Sequence, residues 1–390
     1  MPVSEHMVYL DNNATTPVDP AVAERMAAFL REQFGNPSSL YPIGRKAKEA
    51  LTESREAVAG FLGAHRSEVT FTSSGTEADN FAILGVLEAH PDKTEIVTSA
   101  IEHPAVIETA RALEKKGITV RYAPVDGTGL VDLDFLRSAV TPRTALVSVM
   151  HANNELGTIQ PIEEIARIAR DKGALFHTDA VQSFGKIPID VDRLGVDLLT
   201  ISAHKIYGPK GIGALYVRRG TDILPFIHGG HQERGLRAGT ENTAGIVGFG
   251  EAVRVLTGRM KKDRERLEKL AERLKAGIES RVPKVRFNGH PERRIKSTLN
   301  FAFPGLEAEA ILLALATKGI SVSTGSACSA DSEEVSHVLL AIGLRPEIAR
   351  SCIRMSLGRF NTDEDVTTVL AELPEIIDKL RKISSFDPAD

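Results

Sequence analysis

Between about Val69 and Val217, short runs of β-branched and apolar residues alternate with stretches whose apolar positions recur every three or four residues. That alternation predicts strands interleaved with amphipathic helices, the pattern of an α/β unit built on a mostly parallel sheet. The runs EIVTSA, TVRYAPV, TALVSVMHANN, ALFHTDAVQ, DLLTISAHK and GALYVRR read as strands or strand ends. In IEEIARIARDKG, Ile162, Ile165, Ile168 and Ala169 share one helical face, and Gly173 closes the C-terminus.

From roughly Ala252 to Ser280 the chain is rich in strong helix formers and charge, which predicts one long, partly exposed helix joining two domains. The pattern then becomes strand (STLNFAF), helix (EAEAILLALATKG), strand (ISVSTG), helix (SEEVSHVLLAIG) and strand (CIRMSLGR). A final helix is opened by Thr362 as N-cap. This is a second, smaller α/β unit.

A chain of 390 residues, 42% of them hydrophobic, is too long for one ordinary domain. With 48 basic against 52 acidic residues the net charge is -4, so nothing electrostatic favours nucleic acid or an anionic membrane as partner. No apolar run approaches the roughly 20 residues of a membrane-spanning helix. The 2 cysteines, Cys328 and Cys352, and an N-terminus without a basic start and apolar core point to a reducing cytoplasm.

Five segments hold candidate chemistry. In SSGTEADN, Gly75 and Thr76 open an amphipathic helix, where exposed N–H groups and the helix dipole suit a phosphate. Taken alone, the segment reads more simply as a capping turn. HTDAVQ ends a strand at Asp179, where ligands bind in doubly wound sheets and a carboxylate could pair with a protonated ring nitrogen. An ordinary strand-to-loop cap is the alternative, and Gln182 is uninformative alone. In SAHKIYGPKGIGALY, a strand-end lysine in a compact Gly-rich turn would be partly desolvated and usable as a nucleophile toward an aldehyde. Lys205 is preferred to Lys210, which sits between Pro209 and Gly211 where turns point lysines to solvent. HGGHQERGLRAGTEN has no apolar periodicity, and its density of donors suits an anion or a subunit boundary. STGSACS sets Cys328 among small polar residues, exposed and available as a thiolate, whereas Cys352 alternates with Ile353 and Met355 and reads as core.

Taken together, YLDNNATTP, FGNPSS, SSGTEADN, EHPAV, HANNELG, HTDAVQ, SAHKIYGPKGIGALY, GGHQERGLRAGTEN, STGSACS and IRMSLGRFN resemble, in order, the cysteine desulfurases of the NifS and IscS type. These belong to the class V aminotransferase branch of the fold-type I pyridoxal phosphate (PLP) enzymes. The resemblance implies a large domain at residues 15–255 with a mostly parallel seven-stranded sheet. It implies a small α/β domain formed by residues 1–14 and 256–390, which carries the cysteine loop.

The resemblance also implies roles. Lys205 holds PLP as a Schiff base, His103 stacks on the ring, Asp179 pairs with the pyridine nitrogen and Gln182 bonds the ring hydroxyl. Gly75, Thr76, Ser202 and His204 line the phosphate, and Thr240 reaches it from the other subunit of a homodimer. Asn154 contacts substrate or cofactor, and Arg354 clamps the substrate carboxylate. For His103 a hydrogen-bonded loop residue, and for Arg354 a solvent-facing strand residue, are the competing readings. The implied reaction removes the α-proton of L-cysteine through Lys205, and the Cys328 thiolate then attacks the substrate sulfur. Alanine leaves, and the persulfide on Cys328 passes to an acceptor protein such as an iron–sulfur scaffold. Departing from relatives, Asp331, Glu333 and Glu334 follow Cys328, which would raise its thiol pKa or alter acceptor docking. A selenocysteine lyase or aminotransferase on the same fold, or a non-catalytic assembly scaffold, are the alternatives.

Overall fold

The computed structural model describes residues 7–324 and 335–384. In chain order its strands are β1 (Val8–Tyr9), β2 (Val69–Thr72), β3 (Glu95–Ser99), β4 (Thr119–Ala123), β5 (Thr144–Ser148) and β6 (Leu175–Asp179). They continue with β7 (Leu198–Ser202), β8 (Gly213–Val217), β9 (Arg286–Asn288), β10 (Thr298–Ala302), β11 (Ile320–Ser321) and β12 (Cys352–Ser356). The helices are α1 (Pro20–Glu32), α2 (Pro42–Leu62), α3 (Gly75–Ala89), α4 (Pro104–Glu114), α5 (Leu133–Ala139), α6 (Ile162–Asp171) and α7 (Val191–Leu194). After them come α8 (Thr243–Thr257), α9 (Met260–Arg281), α10 (Ala308–Ala316), α11 (His337–Ala341), α12 (Pro346–Ala349) and α13 (Asp363–Ile383).

β2 to β8 form a seven-stranded sheet in the order β2-β8-β7-β6-β5-β3-β4. The pairings from β7 through β6, β5 and β3 to β4 are parallel, and β8 alone runs against its neighbours. Every residue of β2, β3, β5, β7 and β8 is buried, as expected of strands covered on both faces. On one face the core contains Val58, Leu62, Phe71, Phe176 and Phe249; on the other, Phe81, Val86, Ile96, Leu146 and Leu198. The α/β reading of this region holds.

A separate core brings Val8 and Leu10 together with Leu274, Leu299, Phe301, Ile353 and Leu370. It lies around the antiparallel sheet β12-β10-β9 and the short parallel pair β1 with β11. Ile101, Met150 and Leu156 pack with Val338, Leu339 and Cys352, tying the sheet's active edge to β12. Thr362 caps α13 as expected, with Asp365 returning a bond to the Thr362 N–H at 3.1 Å.

The single helix expected over 252–280 is instead two. α8 begins earlier, at Thr243, and ends at Thr257, and α9 restarts at Met260. Gly258 and the turn bond from Arg259 N–H to Leu256 C=O separate them. α8 is buried because its glycines allow close approach: a Cβ on Gly248 would fall 2.5 Å from Met26 Sδ, and one on Gly250 2.6 Å from Ser54 Cβ. Helix α9 is the polar, solvent-facing half that the charge pattern described. Among the described residues no helix is long and apolar enough to cross a membrane.

Candidate active site

The parallel strands β3, β5, β6 and β7 deliver their C-terminal ends to one edge of the sheet, where open α/β folds bind ligands. β6 ends at Asp179 and β7 at Ser202, and the chain turns at once through a 3-10 segment, Ala203–Lys205. After β3, Glu102 and His103 lead into α4, with His103 as N-cap and its Nδ1 accepting the Ala105 N–H at 3.1 Å.

Lys205 is half-buried and Lys210 is exposed, in agreement with the preference for Lys205. The Lys205 amine donates to the backbone carbonyls of Asn13 at 2.6 Å and Ala14 at 2.7 Å. Gln182 Nε2 donates to that same Asn13 carbonyl at 3.0 Å. Asp179 is buried, and burial raises its pKa to about 6, offset by the Val181 N–H bonded to its Oδ1 at 2.8 Å and by the charge of Lys205. His103 is lowered to about 4 by burial, then by Lys205 and His337. His204 is also lowered to about 4, by burial and then Lys205, and its Nδ1 lies 3.1 Å from Thr15 Oγ1. Lys205 therefore acts electrostatically on Asp179, His103 and His204 together, which puts these expected residues in one site.

The start of α3 faces the same edge. Ser74 is its N-cap, accepting the Glu77 N–H at 3.1 Å, and Thr76 is exposed in the first turn. Gly75 packs under Val181 and Ser202, where a Cβ would lie 3.0 Å from Val181 Cγ2. A Cβ at Gly213 would sit 2.6 Å from the Ser74 carbonyl carbon, so β8 passes directly behind this turn. The arrangement offers helix N–H groups beside Ser202, a donor set suited to a dianionic phosphate.

A cleft of about 300 Å³ opens beside Lys205, lined among others by Asn13, His103, Asn154, Gln182 and Arg354. Arg354 is buried in β12, not solvent-facing; its neighbours Ile353 and Met355 turn into the opposite core. Its guanidinium donates to Asp11 Oδ1 at 2.7 Å and to the Asn154 carbonyl at 3.2 Å. Thr240 is exposed, outside this cleft. The loop bearing it is not simply solvated: Glu233 is buried against Arg55 in a two-point ion pair at 2.6 and 2.7 Å. Cys328 and the acidic residues after it up to Glu334 lie outside the described residues. Cys352 is core as expected, and burial pushes its thiol up to about 12.

Residues that the pattern did not single out also build the site. Asn13 donates to the Asn154 carbonyl at 3.0 Å and to Thr298 Oγ1 at 2.9 Å, besides receiving Lys205. Half-buried Lys186 bonds both Asn13 and Gln182. Glu102, raised to about 8 chiefly by burial, accepts the Met150 N–H beneath the cleft. Glu155 accepts the Ser336 hydroxyl at 2.7 Å. For Lys186 the available signal is its position four residues after Gln182, as the one charged residue of the run AVQSFGKIPI.

Residues 8–369 match the model of the aminotransferase class-V family, and the chain belongs to that family. It is 50% identical over 384 residues to the cysteine desulfurase IscS of Methanosarcina thermophila, covering 98% of this chain and 95% of the relative. With the cysteine desulfurase IscS of Dictyoglomus turgidum it shares 51% over 380 residues, 97% of this chain and 96% of the other. A solved NifS-like protein superposes with a TM-score of 0.91 at 42% identity, covering 96% of this chain and all of that one. Within the family the chain is thus of the cysteine desulfurase type, a group of pyridoxal phosphate enzymes.

Proposed function

We propose that this chain converts L-cysteine to L-alanine and keeps the sulfur as a persulfide on Cys328 for delivery to a sulfur-acceptor protein. The observation that carries the reading is the placement of the Lys205 amine at the mouth of a cleft that also holds His103, Gln182, Asn154 and Arg354.

The donor set fits pyridoxal phosphate. The α3 start with Ser202 and His204 suits the phosphate, Asp179 suits a protonated ring nitrogen, the Gln182 amide suits the ring hydroxyl, and Lys205 suits the aldehyde. When bound, the cofactor supplies an electron sink for charge developing at the substrate α-carbon. Asp179, raised to about 6 by burial despite the charge of Lys205, falls further once a ring N–H approaches, so it ionises in favour of that contact.

Lys205, once its amine is released, is the base that moves the α-proton of the substrate. His103 is neutral at physiological pH, and with Nδ1 engaged by Ala105 its Nε2 is the nitrogen able to relay a proton. Arg354 binds the substrate carboxylate through its guanidinium. The Cys328 thiolate attacks the substrate sulfur, forming an S–S bond as the C–S bond breaks and its electrons return to carbon. Proton uptake there completes alanine.

This reading extends to a homodimer in which Thr240 reaches the partner's phosphate site, and to a cytoplasmic setting that keeps Cys328 reduced. It also divides the chain into a large domain, 15–255, and a small one, 1–14 with 256–390, with the cleft between them. The purified protein is expected to show a visible absorption band that Lys205→Ala abolishes, and Cys328→Ala is expected to stop sulfide release from cysteine while leaving the band. A protein that cannot be made to take up the cofactor would overturn the reading, and sulfide release that survives Cys328→Ala would overturn the desulfurase assignment.

A further inference from the structure

Lys186 lies next to this site with no part in the reaction described above. The residue is half-buried, and its amine makes two hydrogen bonds, to Asn13 Oδ1 at 2.7 Å and Gln182 Oε1 at 3.0 Å. Both acceptors are neutral amides, and among the described residues no carboxylate pairs with it. An ammonium donates only, so each carboxamide must turn its oxygen toward Lys186. For Gln182 this leaves one direction for the amide nitrogen: toward the Asn13 carbonyl, 3.0 Å away, which also receives Lys205.

We propose that Lys186 is a positioning residue that fixes the Gln182 carboxamide with its N–H groups facing the Lys205 site and holds Asn13 so that its carbonyl can receive the Lys205 amine. The cofactor contact of Gln182 rests on the functional reading above; the hold on the two carboxamides does not. The charged groups acting on Lys186 are Lys205 and Arg354, the latter paired with Asp11. Asp263 and Arg359 lie across a smaller cavity behind Lys205. Burial and the two neighbouring cations lower Lys186 to about 7.

The test is Lys186→Met in the full-length protein, alone and combined with Gln182→Leu. Lys186→Met is expected to weaken pyridoxal phosphate binding by about tenfold, the scale of one charge-assisted hydrogen bond. It is also expected to raise the pH at which the visible band titrates, because a like charge near Lys205 is removed and the Gln182 donor is no longer held. In the Gln182→Leu background the effect on binding is expected to shrink markedly, as for residues acting through one another. Wild-type binding and titration in Lys186→Met, or an equal effect on binding in both backgrounds, would overturn the proposal. If the wild type takes up no cofactor, the functional reading fails, and crystal structures of wild type and Lys186→Met without cofactor decide this one. Displaced Gln182 and Asn13 side chains support it, and superimposable ones overturn it.

Discussion

The guanidinium of Arg354 donates to the carboxylate of Asp11 at 2.7 Å, joining the central position of the buried strand β12 to the loop after β1. The two partners are unequal, with side chains 2% and 19% exposed. Truncating the carboxylate deprives an enclosed cation of that partner, whereas truncating the cation leaves an acid that water can reach. Asp11→Ala is therefore expected to cost about 3 kcal/mol of unfolding free energy, and Arg354→Met clearly less. Urea denaturation of both variants checks the order; equal losses would contradict it.

Glu102 predicts the pH dependence of stability. Its carboxyl ionises near 4.5 in an unfolded chain and near 8 in the folded one, chiefly because it is buried. Between those values the folded state holds a proton that the unfolded state has lost, so stability falls as pH rises through this window. The contribution is on the order of 4 kcal/mol from pH 4.5 to 8. Gln is the neutral isostere: its oxygen can accept the Met150 N–H and its amide can donate to Ser99, the two partners of Glu102. Glu102→Gln is expected to match wild type near pH 4.5 and exceed it at pH 8. Unfolding curves across that range that fall equally for both proteins would refute the assignment.

Cys352 is expected to be chemically silent. It is fully enclosed, with its thiol pushed up to about 12 by burial, so the thiolate fraction at neutral pH is negligible. In the Cys328→Ala variant, Cys352 is the remaining thiol of a two-cysteine chain. That protein is expected to resist a thiol-specific reagent when folded and to react once with it in urea. Rapid labelling of the folded variant would place Cys352 in contact with solvent.

Much of the site was legible because its chemistry follows apolar runs. Asp179, Ser202 and Lys205 end or directly follow buried strands, and Gly75 opens a helix, so local period and punctuation were enough to locate them. Whatever depends on distant pairing was hidden. Asn13 meets Lys186 across 173 positions and Lys205 across 192, and nothing local to DNNATTP signals either contact. The break at Gly258 was hidden differently: helix-forming residues on both sides outvoted one glycine, and only the close packing of α8 on α1 and α2 shows why the two halves differ. Arg354 was placed correctly on the inner face of β12, but its attachment to Asp11 is a contact between chain ends.

That attachment of the chain's beginning to its end has a consequence for synthesis. The Asn13 N–H is bonded to Ser356 Oγ at 2.9 Å, and its side chain to Thr298. A growing polypeptide can complete the large sheet by Val217, but residues 8–16 have no strand to settle against until β11 and β12 have left the ribosome. Asn13, whose carbonyl receives Lys205, has partners in Gln182 and Lys186 before that point but gains Thr298 and Ser356 only afterwards. The setting of the reactive amine is thus completed by segments that lie more than a hundred residues beyond the scaffold around it.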